Sequence, residues 1–206
     1  MEGPLAAIPA EELTPRVREL LLQQIDENQL LSAALGEMRD RIEELERLVD
    51  TDTLTPLPNR RRFVREVERC VQHGRRYGTT AWVMFVDLDG LKTINDSHGH
   101  LAGDAALIHV ASILQSHVRT TDVVARIGGD EFGLLLENIG SVAVQEKAAS
   151  LIESVAGAPM MVGGQRLRIG ISIGLAELNL DDDAESLVAR ADEAMYERRA
   201  QLRSAR

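Results

Sequence analysis

Between residues 17 and 49 the apolar side chains keep an alternating spacing of four and three. Val17, Leu21, Leu31, Leu35, Met38, Ile42, Leu45 and Val49 lie on this seam, with Gln24 and Asn28 filling the two positions between Leu21 and Leu31. That spacing predicts a long helix with a heptad seam, and it places Asn28 at an a position, where a buried amide favours a parallel, in-register pair. A lone amphipathic helix folded back on the rest of the chain is the alternative. Residues 1–12, with Pro4 and Pro9 among small side chains, read as a loose leader. Pro56 and Pro58 break the helical pattern, so residues 50–59 read as a hinge.

Beyond the hinge the period alternates between helix and strand. Helices are expected from Arg60 to His73, ending near Gly74, and over residues 103–118, 142–156 and 184–202. Thr79 to Val86 is a short apolar run ending at Asp87, the pattern of a buried strand, and residues 166–178 alternate with a period of two. Val123 to Ile127 and Phe132 to Leu136 flank Gly128-Gly129-Asp130-Glu131, which reads as a hairpin in which the two glycines supply positive φ. The expected fold is α/β of the α+β type, a mostly antiparallel sheet flanked by helices and preceded by a coiled-coil helix. Its parts are a leader (1–12), a dimerising helix (13–49) and one catalytic-size domain (50–206).

The chain has 206 residues, a formal net charge of −10 and one cysteine. That acidity argues against a nucleic-acid or anionic-membrane binder. No apolar run approaches the roughly 18 residues a membrane span needs, and the first residues lack a signal-peptide pattern, so a cytoplasmic protein is expected. Cys70 reads as a small packing residue of the helix that follows the hinge.

The chemistry concentrates in three places. Asp87-Leu88-Asp89 closes a buried strand, and Asp130-Glu131 sits at the hairpin mouth. In an extended chain Asp130 and Glu131 point to opposite sides of the sheet, so they should hold different jobs. Asp87 and Asp130 could share a divalent cation if their strands are neighbours, since Mg²⁺ takes hard oxygen ligands, usually one or two carboxylates plus substrate phosphate. The polar stretch from Gly90 to Asp104 offers backbone amides and the Lys92 ammonium to a phosphate, and Asn95 and Asp104 to a guanine edge. His98 and His100 lack companions at zinc-ligand spacing and read as structural. No Walker-type phosphate loop and no Gly-x-Ser-x-Gly elbow occurs.

Taken in order, these segments resemble the GGDEF-domain diguanylate cyclases. The resemblance is carried by Asp52-Thr53-Leu54-Thr55 with Asn59-Arg60-Arg61, Asp87-Leu88-Asp89 with Lys92 and Asn95-Asp96, Gly99-His100 with Gly103-Asp104, Arg126-Ile127 before Gly128 to Phe132, and Ala191 to Tyr196. It covers residue 50 to the C-terminus. It implies a palm-like nucleotidyl cyclase fold and the condensation of two GTP into cyclic di-GMP with release of two pyrophosphates, each copy of a homodimer contributing one GTP. It further implies that Asp87, the Leu88 carbonyl, Asp130 and Glu131 bind Mg²⁺ (or Mn²⁺), with Glu131 as base or second-metal ligand near the attacking hydroxyl. Leu91, Asn95 and Asp104 would contact the guanine nucleotide, and Lys92, Arg199 and Arg203 its phosphates. Arg119-Thr120-Thr121-Asp122 resembles the family's inhibitory product site, which implies feedback through Arg119 and Asp122. Pro56, Leu91, Arg199 and Leu202 depart from the family pattern; Arg for Lys at 199 keeps the charge but not the geometry. A noncatalytic module that senses nucleotide and signals through a partner is the competing reading, and a pure coiled-coil scaffold the third. An upstream regulatory protein is a further partner on the cyclase reading.

Overall fold

The computed structural model describes residues 14–179 and 181–204, which fall into two compact units divided between Val49 and Asp50. The leader read at residues 1–12 lies outside the described residues. Helix α1 (Pro15–Asp50) starts where Thr14 Oγ1 accepts from the Val17 amide at 3.3 Å, with proline in the first helical position, whose missing N–H costs nothing there. Its seam residues Leu31, Leu35, Met38, Ile42, Leu45 and Val49 are all exposed. A continuous apolar stripe therefore faces solvent along the second half of α1.

The second unit is an antiparallel four-stranded sheet with helices on both faces. Its elements are α2 (Arg60–Tyr77), β1 (Ala81–Asp89), α3 (Leu91–His98), α4 (His100–Ser116), β2 (Val123–Arg126), β3 (Glu131–Glu137), α5 (Ser141–Gly157), β4 (Met160–Val162), β5 (Gln165–Leu167), β6 (Gly170–Glu177) and α6 (Ala184–Ser204). The sheet order is β2-β3-β1-β6, and β4 and β5 form a separate hairpin. Side-chain alternation sorts the core into two layers. Met84, Val86 and Leu88 of β1, with Phe132 and Leu134 of β3, pack against α4 and α5. Ala81, Val83 and Phe85, with Leu135, pack against α2 and α6, and Cys70 lies buried in this second layer. Asp87 continues the odd-numbered series, so its carboxylate belongs to the α2/α6 face.

Several boundaries differ from the sequence reading, each for a local reason. Gly74 does not end α2; the helix runs on to Tyr77 and closes at Gly78, whose φ of 69° suits a left-handed cap. Gly74 instead leaves room for Leu178, whose Cδ2 would lie 2.8 Å from an added Cβ. β1 begins two residues later than expected and runs through Asp89. The polar stretch from Gly90 to Asp104, given no element before residue 103 in the sequence reading, folds into α3 and the start of α4, separated only by Gly99 at φ 83°. The single strand expected over residues 166–178 is split, because Gly163 and Gly164 both take positive φ and turn residues 160–167 into their own hairpin.

The expected Gly-Gly turn geometry is also corrected. The described glycines with positive φ are 78, 90, 99, 163 and 164, so Gly128 and Gly129 do not form a primed turn. At Gly128 the requirement is space, since an added Cβ would lie 2.5 Å from Glu131 Oε2. Residues 50–59, read as a hinge, are ordered by hydrogen bonds. Asp52 Oδ1 accepts from the Thr55 amide and hydroxyl, both at 2.8 Å, and from Arg126 Nη1 at 3.1 Å. Burial pushes the Asp52 carboxyl up, but Thr55 and Arg126 outweigh it and hold it below the ordinary range. Asp50, 1% exposed, receives Arg61 Nη2 at 2.7 Å and also Arg65.

Candidate active site

Antiparallel pairing sets Asp87 of β1 directly opposite Glu131 of β3, so the two carboxylates share one face of the sheet. Asp130 precedes the strand, and its carbonyl accepts from the Leu88 amide at 2.9 Å, which ties the hairpin to β1. From the last helix Arg199 reaches down to Asp87, Nη1 to Oδ2 at 2.6 Å. The other Asp87 oxygen, Oδ1, is buried without a hydrogen-bond partner. Burial, then the Asp130 charge, push the Asp87 carboxyl up to about 6 despite the Arg199 guanidinium. Glu131 is raised too, by burial and by the like charges of Asp192 and Asp130.

A buried carboxylate oxygen with no partner, crowded by three other acids, Asp130, Asp89 and Glu131, is a site short of positive charge. Among the described residues no group of three or more His, Cys, Asp or Glu side chains stands ready to hold an ion. Asp87, Asp130 and the Leu88 carbonyl, the ligands expected from the sequence, would make a thin donor set of two carboxylates and a backbone carbonyl. This fits Mg²⁺, which keeps waters and takes substrate phosphate, better than it fits an ion needing a complete protein cage.

Asn95 sits in α3 against Gly103 of α4. Its Oδ1 is buried and unpartnered, and a Cβ at Gly103 would overlap it, so the glycine makes room for this carboxamide. Asp104 follows on α4, partly buried, and Leu91 opens α3 behind Gly90, whose φ of 78° turns the chain from β1 into the helix. Lys92 is exposed in the first turn of α3, and His98 and His100 are exposed as well. The side chain of Arg203 lies outside the described residues.

Arg119 and Asp122 close a tight turn before β2. The Asp122 carboxylate accepts the Arg119 amide at 3.0 Å, and the Arg119 carbonyl accepts the Asp122 amide at 3.1 Å. They line a cavity of about 380 Å³ together with Arg62, Gln115, Pro58 and Val124. A second cavity, of about 620 Å³, opens between α2 and α6 and includes Arg60, Phe85, Glu131 and Asp192 among its walls.

Sequence reasoning assigned no part to Asp192, Arg60 or Arg126. Asp192 and Arg60 act on Glu131 from α6 and α2, a proximity created only by packing. Arg126 entered the sequence reading only as part of the motif segment before the hairpin. It joins the Asp52 loop to the hairpin by donating from Nη2 to the Gly129 carbonyl at 2.8 Å.

Comparison with known proteins agrees with this geometry. The family model "Diguanylate cyclase, GGDEF domain" matches residues 49–205. The bifunctional diguanylate cyclase/cyclic di-GMP phosphodiesterase MucR of Pseudomonas aeruginosa is 38% identical over 162 residues, covering 78% of this chain and 24% of MucR. Diguanylate cyclase A of Treponema denticola is 40% identical over 119 residues, covering 57% of this chain and 32% of the relative. The chain thus spans a third or less of the length of these two relatives. The crystal structure of the coiled coil and GGDEF domain of DgcB from Caulobacter crescentus in complex with c-di-GMP superposes with a TM-score of 0.76 at 27% identity, covering 91% of this chain and 96% of DgcB's. On the match across residues 49–205, the paired acids of β1 and the hairpin, and the antiparallel sheet that presents them, this chain belongs to the GGDEF diguanylate cyclase domain family.

Proposed function

We propose that the chain is a diguanylate cyclase that works as a homodimer, each copy supplying half of the reaction site. The observation that carries this reading is the buried, partnerless Oδ1 of Asp87 on the same sheet face as Glu131 and against Arg199. Asp87, the Leu88 carbonyl and Asp130 would hold Mg²⁺ or Mn²⁺, with Glu131 as a further ligand when it is not serving the hydroxyl. The ion, when bound, neutralises triphosphate charge and favours in-line displacement at the α-phosphorus. Asn95 and Asp104 hold the guanine edge, Leu91 contacts the nucleotide, and Lys92, Arg199 and Arg203 hold phosphate oxygens. Glu131, whose proton affinity is raised by burial and by the neighbouring acids, takes the proton from a ribose 3′-hydroxyl. The 3′-oxygen then bonds to the α-phosphorus of the GTP on the other copy, and pyrophosphate leaves. The step repeats in the opposite sense to close the ring.

The exposed stripe of α1 gives the second copy a surface to pair along, and a parallel pairing relates the two halves by a two-fold axis. Arg119 and Asp122 then serve as a product site that limits turnover, and an upstream partner acts through α1. The competing reading, a noncatalytic nucleotide sensor, draws on the Arg119/Asp122 cavity alone. Incubating the purified protein with GTP and Mg²⁺ and separating nucleotides by chromatography distinguishes the two. Cyclic di-GMP from wild type and none from Glu131→Gln is the expected result. A confirmed dimer that binds cyclic di-GMP but makes none would refute the enzyme. Arg119→Ala should keep turning over at product levels that halt the wild type.

A further inference from the structure

The cavity that holds Arg119 and Asp122 has a third charged wall that neither the motif nor the family match assigns. Arg62 lines it from the first turn of α2, an element separate from the Arg119 turn. We infer that Arg62 is a ligand-gripping residue of this cavity, supplying the second guanidinium for a cyclic dinucleotide. This rests on the reading of Arg119 and Asp122 as a product site.

Three features of the structure carry the inference. Arg62's backbone is fixed, because its amide donates to the Asn59 side chain at 3.2 Å, so the side chain leaves α2 at a set point. Its guanidinium is loosely held. The nearest carboxylate, Glu66, stands 3.8 Å away and is engaged more closely by Arg69 at 2.9 Å, and the Arg62 side chain is 44% exposed. The cavity's size and chemistry fit a guanine nucleotide half: about 380 Å³, with an apolar wall of Pro58, Val118 and Val124. A carboxylate can accept from the N1 and N2 hydrogens of guanine, one arginine can donate to O6 and N7, and the other can grip phosphate in bidentate fashion. With Arg119 alone, either the base or the phosphate would go without a cation.

The test is titration calorimetry of the full chain with cyclic di-GMP, comparing wild type, Arg119→Ala, Arg62→Ala, Arg62→Lys and Glu66→Ala. Arg62→Ala is expected to weaken binding at least tenfold and to flatten its salt dependence. Arg62→Lys should recover part of the loss, because it restores charge without the fork. Glu66→Ala breaks the same helical ion pair but keeps the guanidinium, so it should bind as tightly as wild type or more so. If Arg119→Ala loses binding while Arg62→Ala matches wild type, the inference falls and the product-site reading stands. Weakening by Glu66→Ala as large as that by Arg62→Ala would also overturn it, by tracing the loss to the helix. Absence of binding to wild type would sink both. Should Arg62→Ala lose its melting transition, Arg62→Gln carries the same comparison.

Discussion

Gly103→Ala separates the folding role of the α3–α4 pair from the guanine-reading role proposed for Asn95. A methyl at Gly103 would overlap Asn95 Oδ1 and lie 2.9 Å from Asn95 Cγ and 3.2 Å from Leu91 Cδ1. These are side-chain atoms, so the backbone of α4 can stay in place while the Asn95 carboxamide rotates away. Two stability effects then oppose each other. Alanine in place of glycine in a helix interior contributes about 1 kcal/mol. Forcing Asn95 off its rotamer costs about 0.5–1.5 kcal/mol. The sum is near zero, and the melting temperature should stay within about 3 °C of wild type. Binding has no such offset. Losing the Asn95 hydrogen bonds to the base costs about 1–2 kcal/mol, which is about 5- to 30-fold in GTP affinity. Calorimetry with a non-hydrolysable GTP analogue measures the affinity, and the same titration with an ATP analogue should show the preference for guanine shrinking by a similar factor. A variant that melts like wild type and binds the GTP analogue within twofold would refute the placement of Asn95 at the base. A drop of more than about 10 °C would refute the claim that only a movable side chain stands in the way.

Asp87→Asn should abolish cyclic di-GMP formation yet stabilise the metal-free fold at pH 8. Lifting the buried carboxyl to about 6 means its charged form costs about 2 kcal/mol after allowance for screening. Because the folded-state value is raised, the wild type is unburdened below the ordinary carboxylate range and loses stability as pH climbs to about 6. The gain of the variant, followed by denaturant melts in EDTA, should therefore grow across that window and vanish near pH 4. Asp50→Asn works in the opposite sense. The hydrogen bond from Arg61, helped by Arg65 and opposed by burial, holds the Asp50 carboxyl low. The variant should lose about 2 kcal/mol at pH 7, and the difference should close as pH falls through the lowered value; a pH-independent gap in urea melts would contradict the pairing. Gly174→Ala should cost about 3 kcal/mol or more, since a Cβ there would overlap the Met195 amide nitrogen and lie 2.5 Å from the Ala191 carbonyl oxygen of α6. A thermal melt shifted by less than about 3 °C would show that α6 can lift off β6 at little cost.

What could be read from the residues, and what could not, divides along chain distance. The strands of the central sheet were legible because β1, β2 and β3 are short apolar runs bounded by glycines and acids, and β6 alternates cleanly through Ile171 and Ile173. Their antiparallel arrangement was expected, and the pairing of Asp87 with Glu131 follows from its register. The helical character of Leu91 to His98 was hidden by polarity, because only Ile94 of that helix is buried and no apolar period shows. Gly74 read as the end of a helix, whereas it admits Leu178, just as Gly174 admits α6, and nothing local records either. The acids of the hairpin were legible as chemistry but not as electrostatics. Asp192 stands 61 positions after Glu131 in the sequence, and its pressure on that carboxyl exists only once α6 is packed.

The Asp87–Arg199 pair joins residues 112 positions apart, across the whole of the second unit. Closing a loop of that length is entropically unfavourable, and contacts of such separation form late in folding. During synthesis β1 leaves the ribosome before α6 does, so in a partly made chain Asp87 lacks the Arg199 guanidinium that offsets the burial of its charge. A chain interrupted before Arg199 therefore carries the motif and its strand pairing without this partner for Asp87.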